Sequence, residues 1–358
     1  MFTISDGSLV VGRFFGVPLK LHWSFSLIIL YGLYYYLQSH SFLIIAFISF
    51  CFICVVLHEY GHALSAKYFK IKTKDIILYP IGGVARLENM PDNAKQEMII
   101  AFAGPLVNLA LSFICWLTLF ILNQPFVIPH SLHLSSSNFE DLLRLALSIN
   151  LLLFFFNLLP AFPMDGGRVL RAGLAMKYGR IKATKIASFV GRLFSISFII
   201  LGLYQANYLF AFLGFYIFLM AGIELKDVEH MEKLSSYKVS AFFKSQFTKL
   251  HISDKMSKPI DLFKKYGEAN FLIVNSLDHV LGTLPTLFIT EAIDNNAEQD
   301  LVTEWMSEVI QDIEANASLK DAYEIMNKSG AGILIVKEEN NILGVIDRDT
   351  IIRVNTYL

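Results

Sequence analysis

Long apolar stretches separated by short polar connections set the plan of this chain. Runs of spanning length, or near it, fall at about 23–37, 42–66, 97–122, 141–159, 186–204 and 207–225. About 20 apolar residues suffice for a helix to cross a bilayer, so six spans are expected. The period changes elsewhere. Residues 71–87 place β-branched residues on either side of Pro80-Ile81-Gly82-Gly83, which predicts two strands and a turn. Residues 226–239 are charged and read as a linker. From about 240 onward the pattern is mixed. Residues 317–327 have helical period, with Ser318 as N-cap and Asp321 three positions on, and 331–337 and 341–346 read as strands flanking a turn. The expected fold class is a membrane α-helical bundle of six transmembrane helices (1–225) with a cytosolic α/β domain (240–358).

Composition agrees with that plan. The chain of 358 residues is 54% hydrophobic and only 17% charged, more apolar and less charged than a soluble protein. The formal net charge of -1 hides an asymmetry: residues 240–358 hold 11 Lys and Arg against 18 Asp and Glu. The basic residues of the first part sit in short connections between apolar runs, where they set topology and give no nucleic-acid footprint. Residues 1–22, 67–96 and 160–185 carry Lys and Arg, whereas 38–41, 123–140 and 205–206 carry none. That alternation predicts six spans with both termini in the cytoplasm, in the cell membrane of a prokaryote. No cleavage pattern follows Arg13 and Lys20, so the first span is expected to remain. Cys51, Cys54 and Cys115 lie in apolar runs and read as buried packing residues.

The chemistry concentrates at His58-Glu59-Tyr60-Gly61-His62, at the end of the second apolar run. Two imidazoles four apart share one helix face and can take one zinc ion, and the acid beside the first can act as general base on a water there. Polar groups of this kind are costly in lipid and line a cavity or hold an ion; the bland alternative is a helix end already among headgroups. A zinc enzyme needs a third ligand. Asp165, in Asn157-Leu-Leu-Pro160-Ala-Phe-Pro163-Met-Asp165-Gly166-Gly167, follows two prolines that break the fourth run. It is either that ligand or the N-cap of the next helix. Asn157 and Asn108 could stabilise an oxyanion or hold substrate backbone, or could simply join helices. Gly82 and Gly83 offer a strand edge for an extended substrate segment, or only a turn. Gly104 and Pro105 would let the third helix pack closely on the catalytic one, and His22 reads as an interfacial residue.

HEYGH together with NLLPAFPMDGG resembles the site-2 protease family of intramembrane zinc metalloproteases. Gly12-Arg13-Phe14-Phe15-Gly16-Val17-Pro18, the Pro80–Leu87 stretch and Ala103-Gly104-Pro105-Leu-Val-Asn108 match in the same order, so the resemblance covers about 10–225. It implies proteolysis of a transmembrane protein substrate within the membrane, one Zn2+ on His58, His62 and Asp165, and Glu59 as base. The tail resembles a pair of cystathionine-β-synthase-type (CBS) repeats. The second, about 303–357, is clear; the first, about 248–292, looks short and degenerate, with its middle helix largely missing. CBS members that bind adenosine favour a Gly-x-x-Ser/Thr-x-x-Asp pattern. Here Gly344-Val-Ile-Asp347-Arg-Asp349-Thr350 and Gly282-Thr-Leu-Pro285-Thr-Leu-Phe288 depart from it, which argues against nucleotide binding and for a docking or homodimer role. Two rivals are a CBS-regulated ion transporter, which needs no base beside a histidine pair, and an inactive scaffold, which would have lost a ligand or the base.

Overall fold

The computed structural model describes residues 4–5, 7–39, 43–80, 82–88, 91, 93–124, 139–339 and 341–357. The loop 123–140, expected outside the membrane, lies almost wholly beyond the described residues. Two compact units meet inside one helix, between Lys226 and Asp227.

The first unit opens with strands that the sequence pattern did not suggest: β1 (Ile4–Ser5), β2 (Ser8–Phe14) and β3 (Val17–His22). Then come α1 (Ser26–Ser39), α2 (Leu43–Tyr68) and the expected hairpin, β4 (Thr73–Tyr79) and β5 (Gly82–Leu87). The strands form one sheet in the order β1-β2-β3-β4-β5, with β3 and β4 parallel and the other pairs antiparallel. Parallel neighbours need a crossover, and here that crossover is α1 and α2. Val17, Leu19, Ile76 and Leu78 of the sheet bury Tyr60 and Ala63 of α2, which fixes the histidine helix against the sheet. Next to Ile76 in β4, Asp75 is fully buried and takes Arg86 through two bonds of 2.6 Å and Lys20 at 2.8 Å.

Five helices follow: α3 (Ala94–Ile121), α4 (Phe139–Asn157), α5 (Asp165–Tyr178), α6 (Arg180–Tyr204) and α7 (Tyr208–Ser236). Among the described residues four helices are long and apolar enough to cross a membrane: α2, α3, α6 and α7. The other two expected spans fall short by that measure. At 14 residues α1 is about 21 Å long, less than a hydrocarbon core of about 30 Å. Glu140, Asp141 and Arg144 load the first turns of α4. The charged segment 226–239, expected as a linker, continues α7 as helix to Ser236.

The second unit holds two copies of one pattern. The first copy is β6 (Lys249–His251), α8 (Ser257–Tyr266), β7 (Phe271–Val274), β8 (Val280–Leu284) and α9 (Thr286–Asp294). A short α10 (Val302–Trp305) leads to β9 (Asp312–Glu314), α11 (Leu319–Ser329), β10 (Ile333–Glu338), β11 (Asn341–Asp347) and α12 (Arg348–Tyr357). In each copy the first strand is parallel to the second and the third antiparallel to it. The middle helix expected to be missing from the first copy is therefore present as α8. Pro259 sits in its first turn, where the absent N–H is no loss. Ser318 caps α11 through a reciprocal box with Asp321, as expected.

Candidate metal centre

His58 and His62 lie one turn apart on α2, with ring centroids 4.8 Å apart. Their Nε2 atoms are 3.1 Å apart, and Asp165 Oδ2 lies 3.1 Å from the first and 3.2 Å from the second. All three residues are buried. Two imidazole nitrogens and a carboxylate oxygen converging this closely form a zinc-type donor set, three protein ligands as in catalytic zinc sites. Among the described residues this is the group of three or more His, Cys, Asp or Glu that could hold a metal. Asp165 is not the N-cap: Met164 holds that position without a side-chain bond, and Asp165 is in the first turn, where the helix dipole favours a carboxylate.

Neighbouring elements hold each donor in place. The other nitrogen of His62, Nδ1, meets the Ile100 carbonyl at 2.7 Å, and that of His58 meets Asn108 Oδ1 at 2.6 Å. Such outer hydrogen bonds orient metal-binding imidazoles and fix the tautomer. Gly104 forms the floor. A Cβ there would lie 2.3 Å from His62 Nε2 and 2.7 Å from His58 Nε2, so any side chain would fill the space between the ligands. The loop carrying Asp165 is clamped as well. Ala161 and Met164 pack against Ile217 of α7, and Phe162 against Ala187 of α6 and Ala221 of α7.

Glu59 is buried beside the cluster, and its Oε2 accepts from Ala85 N of β5 at 2.9 Å. Gly83 makes that approach possible, since a Cβ there would come within 2.6 Å of Glu59 Cγ. Gly82 lies at the start of the same strand with open space around it. The two asparagines separate. Asn108 is fully buried and uses both ends of its amide, so it joins helices and is closed to substrate. Asn157, the last residue of α4, is half-buried outside that network. His22 caps a one-turn helix by accepting from Ser24 N and stays apart from the cluster.

Three participants had escaped notice in the sequence. Asn150 bonds to Asn108; a lone Asn inside the run SINLLLFFF was its signal. Ala85 gives only its backbone, which no sequence pattern announces. Arg171 counted as one of the loop charges that set topology. It is instead fully buried on α5, giving Nε to Glu97 Oε1 of α3 at 2.7 Å, pairing with Glu224 of α7 and lying over the Phe162 ring. A buried charge persists when it is paired and hydrogen-bonded, and this one ties the ligand-bearing helix to two others.

Residues 46–132 and 122–201 match the family model for peptidase family M50, and 302–356 match that for the CBS domain. The chain carries an M50 peptidase domain. A zinc metalloprotease of Methanocaldococcus jannaschii is 36% identical over 222 residues, so the chain spans 62% of that relative's length, using 62% of its own. A Synechocystis sp. protein whose name likewise contains zinc metalloprotease is 26% identical over 374 residues, 97% of this chain and 95% of its own. The solved site-2 protease from Methanocaldococcus jannaschii shares 32% identity, covers 61% of this chain and 95% of its own, and superposes with a TM-score of 0.45. The two M50 matches thus take in His58, Glu59, His62 and Asp165, in a chain with four described helices long and apolar enough to cross a membrane and a CBS domain in its tail.

Proposed function

We propose that the whole chain is an intramembrane zinc endopeptidase that hydrolyses peptide bonds within or near transmembrane segments of membrane-protein substrates. The observation that carries this reading is the convergence of His58 Nε2, His62 Nε2 and Asp165 Oδ2 within 3.1–3.2 Å of one another among apolar helices. Zinc held by these atoms would supply a Lewis acid that polarises the scissile carbonyl and makes a nearby water acidic enough to react at neutral pH. Glu59 takes a proton from the attacking water and returns it to the departing amide nitrogen. Its Oε2 is steadied by Ala85 N, which leaves Oε1 for that traffic. Asn157, half-buried and outside the hydrogen-bond network of Asn108 among the described residues, donates its amide to the carbonyl oxygen as charge develops there.

A helical substrate hides its amides and must be extended before it is cut. The strand β5 ends the sheet order, and its outer edge faces Glu59 at Ala85. An extended segment pairing along Gly82–Leu87 would lie beside the base. Six spans, with α1 and α4 completing the crossing, put both termini in the cytoplasm and 123–140 outside. The paired CBS-type folds regulate from the cytosol, as a homodimer contact or a dock for the substrate's cytosolic part.

The test is metal content. Purified protein should hold about one zinc per chain, and Asp165→Ala, still folded, should lose it together with activity. Full zinc occupancy in folded Asp165→Ala would return this residue to a purely structural role.

A further inference from the structure

We infer that Asn150 is a positioning residue for the metal site: it sets which end of the Asn108 amide faces His58, and so which nitrogen of His58 is free to bind the ion. The inference rests on the reading of His58, His62 and Asp165 as ligands. The path begins at a group whose polarity is fixed. The Ala146 carbonyl of α4 can only accept, and it lies 2.9 Å from Asn150 Nδ2. That leaves Asn150 Oδ1 turned to α3, where it accepts from Asn108 Nδ2 at 2.9 Å. Asn108 must then present Oδ1 to His58 Nδ1, at 2.6 Å. Oδ1 has no proton, so Nδ1 carries one and the lone pair of the imidazole falls on Nε2. Nε2 is the atom that faces Asp165 and His62.

Burial makes this chain decisive. Asn108 is 0% and Asn150 1% exposed, so neither amide can turn over without leaving a donor against a donor in an apolar bundle. Asn150 Nδ2 also meets Cys54 Sγ at 3.4 Å, a weak acceptor that reinforces the same direction. His62 needs no relay, because its Nδ1 meets the Ile100 carbonyl directly. Both imidazoles are therefore set by main-chain carbonyls, one at first hand and one through two amides. Reversing the Asn108 amide would put N–H against Nδ1 and draw the proton to Nε2, where it would compete with the ion.

The experiment measures zinc affinity of the full-length protein in detergent by competition with a chromophoric chelator, for wild type, Asn150→Leu, Asn108→Leu and the double variant. The visible spectrum of the cobalt(II)-loaded forms is recorded alongside. Leucine keeps the branched skeleton of asparagine and removes its polarity, at the cost of added bulk, which the smaller serine below avoids. Each single variant should bind zinc about 10–100-fold more weakly, the usual cost of losing an outer hydrogen bond to a ligand. The double variant should be no weaker than Asn108→Leu alone, because Asn150 acts through Asn108. Cobalt bands should shift alike in all three. If Asn150→Leu does not fold, Asn150→Ser, polar but too short to reach Asn108, carries the same expectation. Wild-type affinity in the Asn150 variants, or losses that add in the double variant, overturns the relay. Wild-type protein that binds no zinc overturns the ligand reading, and this inference with it.

Discussion

A methyl group at position 104 would lie 2.3 Å from one ligand nitrogen and 2.7 Å from the other. Sequence reasoning assigned Gly104 to close helix packing, which is true but incomplete, because its missing side chain is also the floor of the metal centre. Gly104→Ala should leave the fold standing, as alanine favours helix over glycine by about 1 kcal/mol. It should lower catalytic efficiency about 100-fold, the cost of displacing reacting groups by roughly 1 Å. Unchanged kcat/KM in that variant would mean that the imidazoles stand elsewhere in the working enzyme. His58, Glu59, His62 and Asp165 were legible because each is an ionisable residue in an apolar or proline-broken setting. Asn150 and Ala85 were not, since their importance lies in which group they face.

Among the elements, continuous apolar runs announced α2, α3, α6 and α7 well, and Pro80 to Gly83 announced the hairpin of β4 and β5. The strands β2 and β3 were missed because Gly12, Gly16 and Pro18 look like breakers, whereas a two-strand ribbon places them at its bulge and turn. The last turns of α7 read as a linker in the sequence because they are charged. Yet Met231 and Leu234 pack into the core of the second CBS-type fold, an amphipathic face too short to stand out. Topology hangs on α1 and α4, which fall short of the usual span. In a cysteine-free background, a cysteine at exposed Lys95 or Lys177 should resist a membrane-impermeant thiol reagent in intact cells, while one at His133 should react. Labelling at Lys177 from outside contradicts the six-span arrangement.

For the molecule as a whole, the tail's two folds are stitched together at Asp347. This buried carboxylate accepts from Lys244 Nζ at 2.7 Å, from Thr350 N at 2.7 Å and from Asn270. Asp347, which stands where the adenosine pattern has Ser or Thr, is thus already engaged inside the protein. Burial alone would raise its pKa, but the bonds from Lys244 and Thr350 outweigh that and hold it below the ordinary carboxylate range. The folded state therefore binds this proton less readily than the unfolded chain. The resulting stability is complete above pH of about 4, where an unfolded Asp titrates. It is lost as pH falls through the lower folded value. Lys244→Met should cost about 1 kcal/mol, less than a buried bond to a charged group because Lys244 is half exposed. Acid unfolding should then begin at higher pH, as read from Trp305 fluorescence with the other two tryptophans replaced by Phe. An unshifted acid transition removes Lys244 from the account.

The central claim is that Glu59 moves the proton for peptide hydrolysis at a zinc held by His58, His62 and Asp165. Its most direct test is cleavage of a transmembrane reporter in proteoliposomes by wild type and Glu59→Gln, with zinc measured in the same samples. Glutamine keeps the shape but cannot take a proton, so the variant should retain its zinc and lose at least 100-fold in turnover, the low end of what a general base contributes. Zinc-loaded Glu59→Gln that cleaves within tenfold of wild type, a barrier change of about 1.4 kcal/mol or less, contradicts it.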